Sequence, residues 1–390
     1  MTGDPLVALL ADLVAIPSVN PMGRERTGTD YGERGIADYV AAYLRRHGVD
    51  CEVDEVVPGR PNVIGRIDAG APATILLEAH LDTVHVDTMT IPPFTPEVRG
   101  GRLYGRGSCD TKGSLAAFLF AACGMLAQGK KPGVNVVLAA VADEEYQFTG
   151  ALHAVARGLK ADFGIAGEPT QLHIVRAHKG VTRWKIVTRG LSAHSAYPTR
   201  GKNAIYTMGR ILTRLEDYAL ELGQEPPHPL LGPPSLSVGV IEGGQAVNIV
   251  PDTCVIEIDR RTLPGESIES VLAPVRRLLK EIPGWEIVPP HLAVEPMEVP
   301  RASRAVALIE ESVAHVTGTA TVEGANYATD AGIYNRAGIP TIVFGPGDIA
   351  HAHTHNESID LAGLHAASSI IHHLLSQRAG AHISPPKEIR

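Results

Sequence analysis

Val134-Asn135-Val136-Val137-Leu138-Ala139-Ala140-Val141-Ala142, followed at once by Asp143-Glu144-Glu145, is the stretch that decides the fold. It is apolar and rich in β-branched residues, it follows Pro132-Gly133, and it ends in three acids. A short apolar run bounded in this way reads as a strand buried on both faces. Outward from it the same style recurs. Residues 62–67, 74–79, 163–166 and 341–344 read as further short strands. Helical patterns cover 31–47 (ending at Gly48), 113–128, 304–315 and 361–376. The alternation predicts an α/β domain built on a central, mostly parallel sheet.

The middle of the chain reads differently. Residues 180–188, 235–241 and 253–259 alternate with a period of two, as half-buried strands do. Residues 203–222 and 267–281 read as helices. Strand, helix, strand, strand, helix predicts a smaller α+β unit of ferredoxin-like type. Pro226-Pro227-His228-Pro229 and Gly232-Pro233-Pro234 mark an exposed loop within it. The expected organisation is one catalytic domain, residues 1–177 and 289–390, with a second domain inserted at 178–288.

The bulk properties exclude several classes. At 390 residues, with 44% hydrophobic and 20% charged residues, the chain can bury a large core. Its net charge of −8 gives no basic face for nucleic acid. Cys51, Cys109, Cys123 and Cys254 form no CxxC pair, which fits free thiols in a reducing compartment. The start, Met1-Thr2-Gly3-Asp4-Pro5, lacks a signal-peptide pattern, and no apolar run is long enough to span a bilayer. A cytoplasmic protein with no membrane partner is expected.

Five local signals lie at or just after expected strand ends, where open α/β sheets form their sites. In His80-Leu81-Asp82, His80 is a candidate metal ligand and Asp82 a candidate partner for its second ring nitrogen. His85-Val86-Asp87 and His355-Asn356-Glu357 match the same spacing, so this signal alone also suits a loop histidine. Gly105-Arg106-Gly107-Ser108-Cys109-Asp110-Thr111-Lys112-Gly113 opens a helix. Its Asp110 reads as a bridge between two cations or as a plain helix cap. The Walker lysine and the GxGxxG fingerprint are missing, which excludes a nucleotide loop. Asp143-Glu144-Glu145 reads as a metal ligand beside a general base, or as a solvated turn. Gly167-Glu168-Pro169-Thr170 and His351-Ala352-His353-Thr354-His355-Asn356-Glu357 complete the set. Mixed histidine and carboxylate donors suit Zn²⁺, with Co²⁺ or Mn²⁺ as substitutes, and the excess of carboxylates points to two ions sharing a bridge.

Taken in order, these motifs resemble the di-zinc metallopeptidase family of acetylornithine deacetylase, succinyl-diaminopimelate desuccinylase, aminoacylase and the glutamate carboxypeptidases. The resemblance spans nearly the whole chain. It includes Gly190-Leu191-Ser192-Ala193-His194-Ser195, Val247-Asn248-Ile249-Val250-Pro251 and Arg261-Thr262-Leu263-Pro264-Gly265 of the expected inserted domain. It implies that His80, Asp110 and Glu168 hold one zinc and that Glu145, Asp110 and His353 hold the other. It further implies that Asp82 orients His80 and that Glu144 is the general base. His194 would reach a partner subunit's site to stabilise the oxyanion. Asn248 and Arg261 would bind substrate, and the inserted domain would form a homodimer.

Tyr327-Ala328-Thr329-Asp330-Ala331 and Gly345-Pro346-Gly347 look like the acetylornithine deacetylase branch. The resemblance therefore implies a small N-acyl amino acid as substrate, with N-acetylornithine first. N-succinyl-diaminopimelate, another acylamino acid or a dipeptide are the alternatives. His351 and His355 flank His353, and the segment Thr88-Met89-Thr90-Ile91-Pro92-Pro93-Phe94 lacks the tryptophan that relatives often carry before Pro-Phe. A non-catalytic binding protein on the same fold is the contrasting expectation, and the complete ligand set weighs against it.

Overall fold

A computed structural model describes residues 3–26 and 28–377. The chain divides into two compact units. The first is Met1–Arg176, Val299–Glu323 and Thr329–Arg390; the second is Ala177–Glu298 and Gly324–Ala328.

The sheet of the first unit is built from β1 (Asp50–Val57), β2 (Arg60–Ile67), β3 (Thr74–His80), β4 (Asn135–Val141), β5 (Phe163–Ala166), β6 (Ile174–His178) and, late in the chain, β11 (Thr341–Val343). Their order across the sheet is β1-β2-β4-β3-β5-β11-β6. The sheet is mixed: its centre is parallel, as expected, with β3 pairing β4 and β5 and β11 pairing β5, while β1–β2, β2–β4 and β11–β6 pair antiparallel at the flanks. Every residue of β5 and β11 is buried, as is β4 after Asn135, because helices cover the sheet. The central helix α3 (Lys112–Ala127) is buried nearly all round, as its small apolar sequence requires, and packs against α1 (Pro5–Ala15), β3 and α9 (Leu361–Ser376). Because β3, β4, β5 and β11 run in one direction, their carboxyl ends lie along one edge. The segments after His80, Val141, Ala166 and Val343 all start there.

The second unit is a four-stranded antiparallel sheet of β7 (Gly180–Arg189), β8 (Ser235–Gly243), β9 (Thr253–Thr262) and β10 (Trp285–Val294), in the order β8-β9-β7-β10. Helices α5 (Ala204–Leu222) and α6 (Ile268–Leu279) supply Met208, Ile211, Leu215, Val271, Val275 and Leu279 to a core shared with Trp184, Ile186, Ile256 and Ile258. This is the split β-α-β arrangement. The strict alternation of buried and half-buried residues along β9 is the pattern read from sequence.

Two differences from the sequence reading have physical causes. The expected boundary at 288 falls inside β10, which the sequence reading left out. Pro289 and Pro290 lie in that strand, and its pairing with β7 shifts between Val288 and Leu292. Proline cannot donate to the ladder, so the strand survives only at the sheet edge. Edge strand β1 also went unread, because its acidic sequence DCEVDEVV is largely exposed. Among the described residues no helix is long and apolar enough to cross a membrane.

Candidate active site

Five side chains meet where the parallel strands end. His80 closes β3; its Nε2 lies 3.0 Å from Asp110 Oδ1 and 4.0 Å from Glu168 Oε1. The other oxygen of Asp110 lies 3.2 Å from His353 Nε2, and that nitrogen is 3.1 Å from Glu145 Oε1. Two triads result, His80-Asp110-Glu168 and Asp110-Glu145-His353, each with donor atoms within 4.8 Å of one another. Asp110 belongs to both and turns one oxygen to each histidine. Mixed imidazole and carboxylate donors in this arrangement fit a pair of borderline divalent cations with one bridging carboxylate.

Local folding explains the placement. Asp110 sits in the loop before α3, and a buried Glu357 organises that loop. Its carboxylate accepts N–H bonds from Gly107 at 3.1 Å, Cys109 at 2.9 Å and Asp110 at 3.0 Å, and it pairs with buried Arg106 at 2.6 Å. Gly107 has φ +80°, and a Cβ there would stand 2.8 Å from Thr83 Cγ2. Gly113 admits a similarly close approach, with Ser108 O 2.7 Å from where its Cβ would be. Lys112 is fully buried and donates to Leu13 O and Ile16 O at the end of α1, and burial lowers its pKa to about 7. The hydroxyl of Thr111 donates to Gly167 O, tying the loop to the Glu168 turn.

His80 Nδ1 makes its closest contact with the backbone carbonyl of Asp82 at 2.9 Å, while the Asp82 carboxylate stands off at 3.5 Å. The carboxylate expected to orient His80 thus stands farther from the ring than the residue's own carbonyl, because the chain folds back just after β3. The carboxylate has other partners: its Oδ1 accepts the Glu144 N–H and its Oδ2 the Glu145 N–H, both at 3.1 Å.

The electrostatics of the metal-free site are strained by crowding. Burial pushes Glu168 and Glu144 well above the usual carboxylate range, with neighbouring carboxylates adding to the rise and His80 opposing it. Burial and the Asp110 charge raise Glu145, against the pull of His353. Burial alone would raise Asp110, but hydrogen bonds from His353 and His80 hold it below the ordinary value. Hydrogen bonds to Asp110 and Glu145 push His353 up to about 11. For His80, burial works against the charged form, yet bonds to Asp110 and Asp82 carry its pKa well above the ordinary value. A site in which both histidines are driven to carry protons while Glu144, Glu145 and Glu168 resist ionising is short of positive charge.

Sequence reasoning missed Glu357 as an organiser; it stood only as a repeat of the His-x-acid spacing. It also missed Asn20, Glu33 and Arg60, described below, and Glu78, whose pKa burial pushes up to about 8 although His80 pulls it down. An acid inside an otherwise apolar strand was the one available signal for Glu78.

His194, Asn248 and Arg261 belong to the second unit. His194 and Asn248 adjoin across a two-stranded ribbon, where Ser195 N donates to Asn248 O at 3.0 Å. His194 Nδ1 accepts the Ala196 N–H at 3.0 Å, so the neutral ring carries its proton on Nε2. Asp259 accepts from Arg261 Nε at 2.8 Å and holds the guanidinium partly exposed.

Fold and site together define a metal-dependent amide hydrolase. The profile of peptidase family M20/M25/M40 matches residues 76–377, and the chain belongs to that family. An acetylornithine deacetylase of Myxococcus xanthus is 34% identical over 350 residues, covering 86% of this chain and 90% of its own. One from Photorhabdus laumondii is 31% identical over 95% of this chain and 96% of its own. Among solved structures, an M20 family metallo-carboxypeptidase from Sulfolobus solfataricus superposes with a TM-score of 0.79 at 22% identity, covering 96% of this chain and 99% of that one. A dinuclear metal binding peptidase of the same family from Bacillus subtilis gives 0.68 at 18% identity, over 95% and 96% of the two chains.

Proposed function

We propose that the protein is an N-acyl-amino-acid deacylase that uses two zinc-type ions, with N-acetylornithine as its first substrate. The observation that carries the reading is Asp110, shared by two histidine-carboxylate triads. His80, Asp110 and Glu168 would hold one ion; Asp110, Glu145 and His353 would hold the other. When bound, such a pair of ions activates a water and polarises the scissile carbonyl. Glu144, adjacent to a ligand yet outside both triads, is the residue that would take a proton from the attacking water and deliver it to the leaving amine. Burial and like charges keep its carboxyl above the ordinary range, so it holds a proton more readily than a surface glutamate.

His194, with its proton on Nε2, suits donation to an oxyanion, and Arg261 suits the fork geometry of an α-carboxylate, with Asn248 beside the substrate. The substrate assignment takes its support from the named relatives, and our reading is of a cytoplasmic enzyme of arginine biosynthesis. The second unit acts as the dimerisation domain. An exposed concavity lined by Ile205, Tyr206, Val247 and Ile249 supports a second copy of the chain as its occupant.

The test is hydrolysis by metal-stripped protein before and after adding Zn²⁺ or Co²⁺. N-acetylornithine, N-succinyl-diaminopimelate, N-acetylmethionine and a glutamyl-terminated dipeptide form the panel. Restored cleavage led by N-acetylornithine supports the whole reading. Restoration led by another amide keeps the chemistry and discards the substrate. Silence with both ions bound overturns the catalytic assignment.

A further inference from the structure

The two glutamates of the Asp143-Glu144-Glu145 turn need their backbone held if one is to bind metal and the other to move protons. A polar network outside the ligand set performs this. Asn20 is buried, and its amide nitrogen donates to Asp82 Oδ2 at 2.7 Å and to Asp143 Oδ1 at 2.9 Å. Its carbonyl oxygen accepts the Met22 N–H at 2.8 Å. Asn20 is itself fixed in place, because its N–H donates to Thr83 O at 2.8 Å, immediately after Asp82.

On the other side, Arg60 donates from Nη1 to Asp143 Oδ1 at 2.8 Å, and from Nη2 and Nε to the two oxygens of Glu33 at 2.5 and 2.7 Å. Glu33 also accepts the Asp143 N–H at 3.2 Å, and Thr149 Oγ1 donates to Asp143 Oδ2 at 2.7 Å. Every carboxylate oxygen of Asp82, Asp143 and Glu33 is therefore met by a donor. Asp143 has φ +69°, a left-handed backbone that aspartate adopts more readily than most side chains and that its hydrogen-bond partners hold here. The network encloses that residue, while Asp82 grips the next two amides.

We infer that Asn20 and Arg60 are positioning residues of the reaction: they lock Asp82 and Asp143 so that Glu144 and Glu145 are presented in one fixed register. The inference rests on the reading of Glu144 as the proton-transfer group. Asparagine is the required side chain at residue 20. Asp143 and Asp82 each need an N–H, and Met22 N needs an acceptor. Aspartate keeps the shape and the acceptor but turns a third carboxylate on the other two. Arginine is required at residue 60 because one planar fork serves Glu33 and Asp143 together, which an ammonium does not do.

The experiment uses the full-length, metal-loaded protein and the panel amide it cleaves best, with Asn20→Asp, Arg60→Met, Arg60→Lys and Glu144→Gln. Bound metal is counted by mass spectrometry. Deuterium exchange is followed in the peptide spanning residues 143–148 of the same protein. We expect Asn20→Asp and Arg60→Met to lower kcat by about 10- to 100-fold, the range typical of partners one shell out from a metal site, with KM changed far less and two ions retained. Exchange at residues 143–148 should quicken while β3 stays protected, and Arg60→Lys should recover part of the kcat lost in Arg60→Met. Unchanged kcat and exchange in folded Asn20→Asp and Arg60→Met overturn the inference, as does a loss that merely follows metal content. If Asn20→Asp fails to fold, the Arg60 pair decides alone. Full activity in Glu144→Gln overturns the base reading and the inference with it. Inactivity in Glu144→Gln beside undisturbed Asn20 and Arg60 variants overturns the inference only.

Discussion

Glu144 and Glu145 are chain neighbours with the same side chain, and their surroundings separate them. Glu145 has His353 at 3.1 Å and shares a triad with Asp110; Glu144 lies outside both triads. Glu144→Gln should therefore cut kcat by about 10²- to 10⁴-fold while both ions remain bound. Glu145→Gln should lower the content of one ion, and metal analysis beside steady-state kinetics distinguishes the two. Glu357 poses a different test. Its carboxylate neutralises an Arg106 that is only 1% exposed, so Glu357→Gln leaves a buried guanidinium without its counter-charge. Breaking such a pair from one side costs about 3–5 kcal/mol, visible as a lower midpoint in a urea titration of the metal-free protein. The candidate ligands were legible because His80, Glu145 and Glu168 end or follow strand signals, Asp110 opens a helix from a glycine-rich motif, and His353 lies among alternating histidines. The roles of Asp82 and Glu357 were not, since a carboxylate's partners depend on how loops fold back, and no periodicity encodes that.

Among the elements, those with strong period or a continuous apolar run were readable: β4, β5, β9, α3 and α9 lie within a residue or a few of where the pattern put them. The edge strands β1 and β10 were hidden, because one is acidic and exposed and the other holds two prolines. β6 also went unread, and it carries a histidine with a consequence for pH. His178 is fully buried; its Nδ1 meets the Lys179 carbonyl at 2.9 Å, its Nε2 has no hydrogen-bond partner among the described residues, and burial lowers its pKa to about 4. Between that value and the ordinary value near 6.5, the unfolded chain binds the proton and the folded one does not. Its contribution to stability is thus complete above about pH 6.5 and is lost as pH falls toward 4. Linkage sets the loss at roughly 3 kcal/mol at most. His178→Gln should flatten this part of a stability-pH curve taken by chemical denaturation. An equally steep fall in the variant would assign the acid sensitivity to other groups.

For the molecule as a whole, the concentration of buried carboxylates in one unit predicts how stability, metal and pH are coupled. In the metal-free chain Glu144 and Glu168 have pKa values raised by burial, and His353 is raised to about 11 by Asp110 and Glu145. For each of these groups the folded state holds its proton more tightly than the unfolded one. Their favourable contribution is present below the unfolded pKa, near 4.5 for the glutamates and 6.5 for the histidine, and is lost as pH rises through the folded values. Asp110 is shifted the opposite way, but its contribution is already complete above about pH 4 and leaves the trend at higher pH unchanged. Stripped of metal, the protein should lose the stability these groups contribute as pH rises from about 5 toward 9, set against the opposite shifts of His178 below about pH 6.5 and of Lys112 above about pH 7. Divalent ions bind the deprotonated donors, so metal adds stability by mass action and adds more of it as pH rises. The difference in Tm between Zn²⁺-loaded and chelated protein should widen steadily over that interval. In His353→Ala, which removes one histidine and one triad, it should be smaller and vary less with pH. A Tm difference independent of pH would mean that protons do not compete with the ions at these residues, and the ligand assignment of both triads would fall with it.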